Sequence, residues 1–201
     1  MTVIEDILKD VPDKQYRWKG TTSLKWKKDL YTFAKDRNFE NVLELGTNYG
    51  WTSYLASFIS KQVYTVEYNQ DTFHHAKEVC KDRDNITFIL GDAYKDETYR
   101  DIPKEFDAVI IDCIHDYSHV KKDIRRALSY QKKDSPIYLI FDDYSHPTAK
   151  GVREAIDEFT IKNKIFRVHY IGHSEGHIIH RNDESHFTLI GPEGLIVEYD
   201  G

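Results

Sequence analysis

The sequence predicts a three-layer α/β sandwich: a seven-stranded, mostly parallel sheet with an antiparallel edge strand and helices on both faces. Three observations predict it. Short apolar, β-branched segments recur at residues 42–45, 63–68, 86–90, 108–111, 137–141, 166–171 and 187–190, each bounded by Gly, Asp or Asn. Between most of them lie charged stretches whose apolar residues are spaced three and four apart, the helical period. Strand and helix alternate, which requires parallel pairing through right-handed crossovers and therefore a sheet covered on both faces.

The elements follow in order. Residues 1–39 read as one or two helices ahead of the core at 40–201. Lys14, Arg17, Lys19, Lys25, Lys27 and Lys28 cluster there as a solvated basic face, with an anionic partner as the alternative. The first strand runs into Glu44-Leu45-Gly46-Thr47-Asn48-Tyr49-Gly50 and then a helix carrying Tyr54, Leu55, Phe58 and Ile59. The second ends Val66-Glu67-Tyr68, the third Gly91-Asp92-Ala93 and the fourth Ile111-Asp112. A helix with Val120, Ile124, Ala127 and Leu128 leads to the fifth strand, which ends Phe141-Asp142-Asp143. The last two strands, 166–171 and 187–190, have no helix between them and are expected to pair antiparallel at one edge, joined by a His-rich loop.

A length of 201 residues fits one domain spanning 1–201. The 34 acidic residues outnumber the 28 basic ones for a net charge of −6, against the basic balance of a nonspecific nucleic-acid binder. The longest strongly apolar run, 137–141, is far short of the ~20 residues of a membrane span. Two cysteines cannot build a disulfide framework, and charges at Glu5, Asp6, Lys9 and Asp10 break any signal-peptide stretch, so the expected location is cytoplasmic. Met1 is the single methionine, which would suit a module cut from a larger polypeptide.

In an open α/β sheet, ligands bind beyond the carboxyl ends of the strands where strand order reverses, and the polar signals concentrate there. Gly46 and Gly50 let backbone approach a ligand at a helix N-terminus. The turn lacks the G-x-G-x-x-G spacing of dinucleotide sites, which argues against NAD or FAD. Glu67 is placed to accept two hydrogen bonds from a ribose diol, and Asp92 with the backbone at Ala93 to read the amino edge of an adenine. Glu44, Glu67, Asp92 and Asp112 ending four consecutive strands in register predict a nucleoside-like cofactor.

These residues resemble the Rossmann-like methyltransferases that use S-adenosylmethionine (SAM), over residues 41–190. The resemblance implies that the cofactor is held by Glu44, Gly46, Tyr49, Gly50, Thr52, Ser53, Glu67, Tyr68, Asp92, Ala93 and Asp112, with Glu44 near the methionine ammonium.

Neighbouring strands lie ~4.8 Å apart, so carboxylates ending the fourth and fifth strands can converge on one hard cation. Asp142 and Asp143 can both be ligands only if the chain has left strand geometry there. The run Asp112-x-x-His115-x-Tyr117-x-x-Val120-x-x-Asp123 followed by Phe141-Asp142-Asp143-Tyr144 is similar to sugar and small-molecule O-methyltransferases of the macrolide-sugar and cephalosporin-pathway type. That similarity implies Mg²⁺ or Mn²⁺ on Asp112, Asp142 and Asp143, with His115 as general base beside Asp112. Lys133-Asp134-Ser135 stands where that family usually has a Gly.

His146, His173, His177, His180 and His186 match no zinc spacing, and 172–177 reads as an acceptor-side lid over a pocket walled by Tyr49, Trp51, Tyr117 and Tyr144. The expected function is SAM-dependent O-methylation of a sugar or glycan hydroxyl, as in a module of a glycan-building polypeptide, in host cytoplasm if viral. The alternatives are a catechol or phenolic acceptor and a non-enzymatic SAM- or nucleotide-binding module.

Overall fold

The computed structural model describes residues 2–11, 21–165, 167–180 and 186–201, with backbone alone at 179 and 180. Lys14, Arg17, Lys19 and Phe166 lie outside these residues. The leading segment contributes α1 (Val3–Ile7) and α2 (Leu24–Ala34), the latter capped by Ser23, whose hydroxyl accepts from the Trp26 amide. Lys27, expected on a solvated basic face, is fully buried. Its Nζ donates to Thr21 Oγ1, Thr22 O and Thr22 Oγ1 at 2.6–2.7 Å.

The core alternates β1 (Phe39–Leu45), α3 (Trp51–Ala56), β2 (Ser60–Glu67), α4 (Gln70–Val79), β3 (Ile86–Leu90), β4 (Ala108–Ile111), α5 (Tyr117–Leu128), β5 (Ile137–Phe141) and α6 (Lys150–Lys162). β6 (Val168–Ile171), β7 (Ile178–His180), β8 (His186–Thr188) and β9 (Gly194–Tyr199) complete the chain. The main sheet has seven strands in the order β3-β2-β1-β4-β5-β9-β6. Its first five strands pair in parallel, and β9 pairs antiparallel with both β5 and β6. The predicted fold class is the observed one, but the strand that runs antiparallel is β9.

The segment at 187–190 was expected in that place and instead supplies part of β8, which pairs with β7 in a separate two-stranded hairpin. Burial accounts for the difference. Leu195, Ile196 and Val197 are all at most 2% exposed, the pattern of a strand covered on both faces, whereas β8 alternates exposed and half-buried.

Alternate residues of each central strand feed two cores. Leu43, Leu45, Val109, Ile111, Leu139 and Phe141 face α5 and α6, and Val42, Ala108, Ile110 and Ile140 face α2 and α3. The turn before β5, where Lys133-Asp134-Ser135 replaces the similar family's Gly, has Asp134 at φ 59°. That left-handed conformation suits Gly, and Asp tolerates it. Strand order reverses between β1 and β4, which are hydrogen-bonded neighbours, so the crevice predicted for ligand lies above their carboxyl ends.

A crevice and an acidic triad at the strand ends

Gly46 leaves β1 at φ 96°, and its amide donates to Val66 O at 3.1 Å. A Cβ there would overlap the Asp112 carbonyl oxygen, so only Gly lets the β1 turn lie against the end of β4. Gly50 also has positive φ, but its close neighbour is Ala76 of α4, whose Cβ would stand 2.9 Å from an added one. Gly50 thus serves helix packing.

The pairing Leu45↔Val66 and Leu45↔Ile111 sets Glu67 and Asp112 level with Gly46. Glu44 pairs with Thr65 and lies two residues deeper, while Glu67 pairs with Leu90 and so leaves Asp92 two residues further out; the expected single row of four acids is corrected to Glu67 and Asp112 level with one another, Glu44 beneath and Asp92 beyond. Glu44 is 1% exposed, and its Oε2 accepts from Thr65 Oγ1 at 2.6 Å and from the Ser53 hydroxyl. Burial pushes its carboxyl up to about 8, against the pull of those two hydroxyls. Its Oε1 is buried with no hydrogen-bond partner among the described residues. An orphan of this kind costs free energy unless a ligand or water meets it.

The crevice encloses about 690 Å³, within the range of small-molecule sites. Of the residues expected around a cofactor, Gly46, Glu67, Tyr68, Asp92, Ala93 and Asp112 line it. Glu44, Tyr49, Gly50, Thr52 and Ser53 are not in its lining. Ser53 spends its hydroxyl on Glu44, and Tyr49 meets His75 edge to face at 4.9 Å.

The Glu67 carboxylate is held by the amides of Asn48 (2.7 Å) and Asn69 (2.8 Å), one on each oxygen, which leaves a lone pair on each for a ligand diol. Asp92 Oδ1 accepts from the Tyr94 amide at 2.9 Å. Tyr68 is 79% exposed at the mouth. Asn48, Tyr94, Cys113, Ile114 and His119 also line the crevice and were not read from sequence. His119 is thus a wall of the pocket; its ring meets Tyr94 at 4.6 Å and Asp116 Oδ2 at 2.6 Å.

Beside this crevice, Asp112, His115 and Asp143 bring one ligand atom each within 4.8 Å of one another. His115 Nε2 stands 3.2 Å from Asp112 Oδ1, and Nδ1 3.6 Å from Asp143 Oδ2. The bond to Asp112, opposed by burial, pushes the imidazole up to about 9. Asp116, one residue on, caps α5 through the Ser118 and His119 amides. Asp143 sits at φ 55°, off strand geometry, as two adjacent ligands would demand.

Asp142 nonetheless falls outside this triad. It is 4% exposed, and of the expected set Asp112, Asp142 and Asp143 only Asp112 and Asp143 stand in this group, with His115 beside them. The two carboxylates offer hard oxygen ligands that suit a divalent cation such as Mg²⁺ or Mn²⁺, with the imidazole beside them.

The β7–β8 hairpin meets the segment that follows the Asp142–Tyr144 turn. The His146 ring lies 4.0 Å from Phe187, and His173 stacks on His177 at 3.5 Å. Trp51 packs against the α2/α3 core and Tyr144 in the α5/α6 core.

One contact the sequence did not suggest brings the starts of α5 and α6 together. Gly151, in the first turn of α6, crosses the start of α5 so closely that a Cβ would overlap the Tyr117 amide and stand 2.8 Å from the Asp116 carbonyl carbon. Gly→Ala in an ordinary helix interior is stabilising. Here Gly151→Ala is expected to cost about 1–3 kcal/mol in urea unfolding, because rigid backbone must move. A gain in stability would show that the crossing has slack.

A family model described as a methyltransferase domain matches residues 43–144. No curated protein matches significantly. Among solved structures, an O-methyltransferase from Bacillus cereus in complex with SAH is similar with TM-score 0.66 and 16% identity, over 98% of this chain and 90% of that one. An O-methyltransferase from Streptomyces achromogenes involved in tomaymycin synthesis, in complex with SAM, gives TM-score 0.64 and 17% identity over 98% and 87%. A precorrin decarboxylase from Methanobacterium thermoautotrophicum gives 0.59 and 14% over 95% and 100%. At such identities the likeness is one of fold, and the last case shows that this fold hosts more than one reaction. No helix of the described residues is long and apolar enough to cross a membrane. The matched model spans just over half of the chain, from β1 through the turn that carries Asp143, and on that match the chain belongs to the methyltransferase domain family.

Proposed function

We propose that this protein is a SAM-dependent O-methyltransferase that acts on a hydroxyl of a sugar or glycan with the help of a divalent cation. The observation that carries the reading is Asp112, which lines the nucleoside-sized crevice and also stands in the triad with His115 and Asp143. One carboxylate thus joins a cofactor site to an acceptor site. In this reading Glu67 takes the ribose diol, and Asp92 with the Ala93 backbone takes the adenine. Glu44 offers its unpartnered oxygen towards the methionine ammonium.

Methyl transfer from a sulfonium is an in-line displacement, so the protein must hold the acceptor oxygen ~3 Å from the methyl carbon and remove its proton. A cation bound by Asp112 and Asp143 would lower the pKa of a coordinated hydroxyl. With the charge of both carboxylates neutralised, the main hold on the His115 proton would be released, and its ring could take the acceptor's proton.

The test is turnover. With SAM, Mn²⁺ or Mg²⁺ and a panel of sugars and catechols, the expected products are S-adenosylhomocysteine and a sugar one methyl heavier. Methylation confined to catechols would move the acceptor class, and SAH binding without turnover across the panel would favour a binding module. A second expected result concerns Glu44. Its raised carboxyl is mostly protonated at pH 7, and a cationic ammonium beside it favours the charged form. SAM binding should therefore release up to about one proton, seen in calorimetry as a binding enthalpy that varies with buffer ionisation heat; Glu44→Gln should abolish that dependence.

A further inference from the structure

Asp143 is held in its place from both sides by residues far away in sequence. Phe141 O, two residues before it, accepts from Trp26 Nε1 of α2 at 3.3 Å. The Tyr144 amide, the next residue, donates to Glu193 O at 2.9 Å. Between these two ties the chain makes the turn in which Asp143 takes its left-handed φ of 55°. A non-Gly residue persists in that region only where its surroundings over-determine it.

The two ties are themselves one unit. The Glu193 carboxylate, 1% exposed, accepts from Ser23 N (3.0 Å), Ser23 Oγ (2.6 Å) and His173 N (3.0 Å). Ser23 in turn accepts the Trp26 amide at 3.0 Å as the cap of α2. Space has been cleared for this arrangement at two glycines. A Cβ on Gly194 would overlap both Phe141 O and Trp26 Nε1, and one on Gly172, at φ 82°, would stand 2.7 Å from the Glu193 Cβ. The N-terminal helix, the β6–β7 loop and the approach to β9 thus meet at the end of β5, where the acidic turn begins.

We infer that Glu193, with Ser23 and Trp26, is a positioning group that sets the Asp142–Tyr144 turn and so aims Asp143 at Asp112 and His115. None of the three belongs to the triad or lines the cofactor crevice. Their effect is therefore specific to the acceptor side. The inference rests on the proposed role of Asp143, and its consequence is a split: disturbing the latch loosens the cation site and leaves the cofactor site as it was.

The experiment uses the full chain with Glu193→Gln, which replaces an acceptor by an N–H donor among three donors, and with Ser23→Ala as a second variant should the first fail to fold. Mn²⁺ affinity is read by electron paramagnetic resonance, SAH affinity by calorimetry, and amide exchange over residues 142–146 by mass spectrometry. The expected result is Mn²⁺ affinity lower by about 10–100-fold, faster exchange in the turn and SAH affinity within about twofold of the parent. Unchanged exchange and Mn²⁺ affinity in a folded variant would overturn the inference, as would SAH and Mn²⁺ affinities falling together, the mark of a merely structural role. If the parent itself binds no Mn²⁺, the metal reading falls, and the exchange result alone decides for or against the latch.

Discussion

His115→Ala is expected to lower kcat by roughly 10²–10⁴ while leaving SAM affinity nearly intact, the range for loss of a positioned general base. The argument is geometric. His115 lies against Asp112 and Asp143, outside the lining of the cofactor crevice, so its removal touches the acceptor side. In the cation-free protein both ring nitrogens face carboxylates and the ring keeps its proton to about pH 9. A base must first lose it, which ties His115's activity to neutralisation of those carboxylates. Exhaustive EDTA treatment is therefore expected to reduce the rate by a factor comparable to the mutation, and the two losses should be far from additive. A His115→Ala enzyme with near-normal kcat at saturating metal would leave the imidazole as a helix-start residue only.

Gly46→Ala is expected to have the second largest effect, a loss of at least about 10³-fold in kcat/KM from both cofactor and acceptor sides at once. The added methyl overlaps the Asp112 carbonyl, and the residue must also hold φ 96°. Relief requires moving the end of β4, which carries Asp112, the residue common to crevice and triad. Circular dichroism and calorimetry with SAH on the folded variant separate this from global unfolding. Intact SAH affinity in Gly46→Ala would contradict the tight crossing of β1 and β4. Gly50→Ala makes a useful contrast, because its neighbour is Ala76 on α4, and its cost should appear in stability before it appears in affinity.

How much of this was legible in the sequence follows from the range of the interactions. β1 to β5 could be read because each is an apolar run flanked by polar turn residues, a local signal. β9 was missed because 187–190 and 194–199 are both apolar segments near the end of the chain, and only the pairing with β5 and β6 separates them. The three consecutive buried residues Leu195, Ile196 and Val197 were the available clue. At the site, Asp112 and His115 share one short motif, and Asp143 follows a recognisable strand, so their residue types could be named. Which acid of the Asp142–Asp143 pair faces His115 depends on a left-handed turn fixed by Trp26 and Glu193, at separations of 115 residues to Phe141 in one case and 170 residues to Ser23 in the other. Gly151 was invisible for the same reason, since its partner is the backbone of another helix. The basic cluster illustrates the reverse error: Lys27 looked like surface charge and is a buried ammonium bonded to Thr21 and Thr22, just ahead of its own helix.

The most direct test of the central claim is calorimetric titration of SAH into the EDTA-treated protein and its Glu67→Ala variant. The account predicts one site in the parent without any metal, because the crevice and the cation triad share only Asp112, and affinity weaker by about 10²-fold in the variant, because two hydrogen bonds to the ribose are lost together. Absence of SAH binding to the parent, or equal affinity in Glu67→Ala, would contradict the assignment of the crevice and with it the methyl-transfer reading.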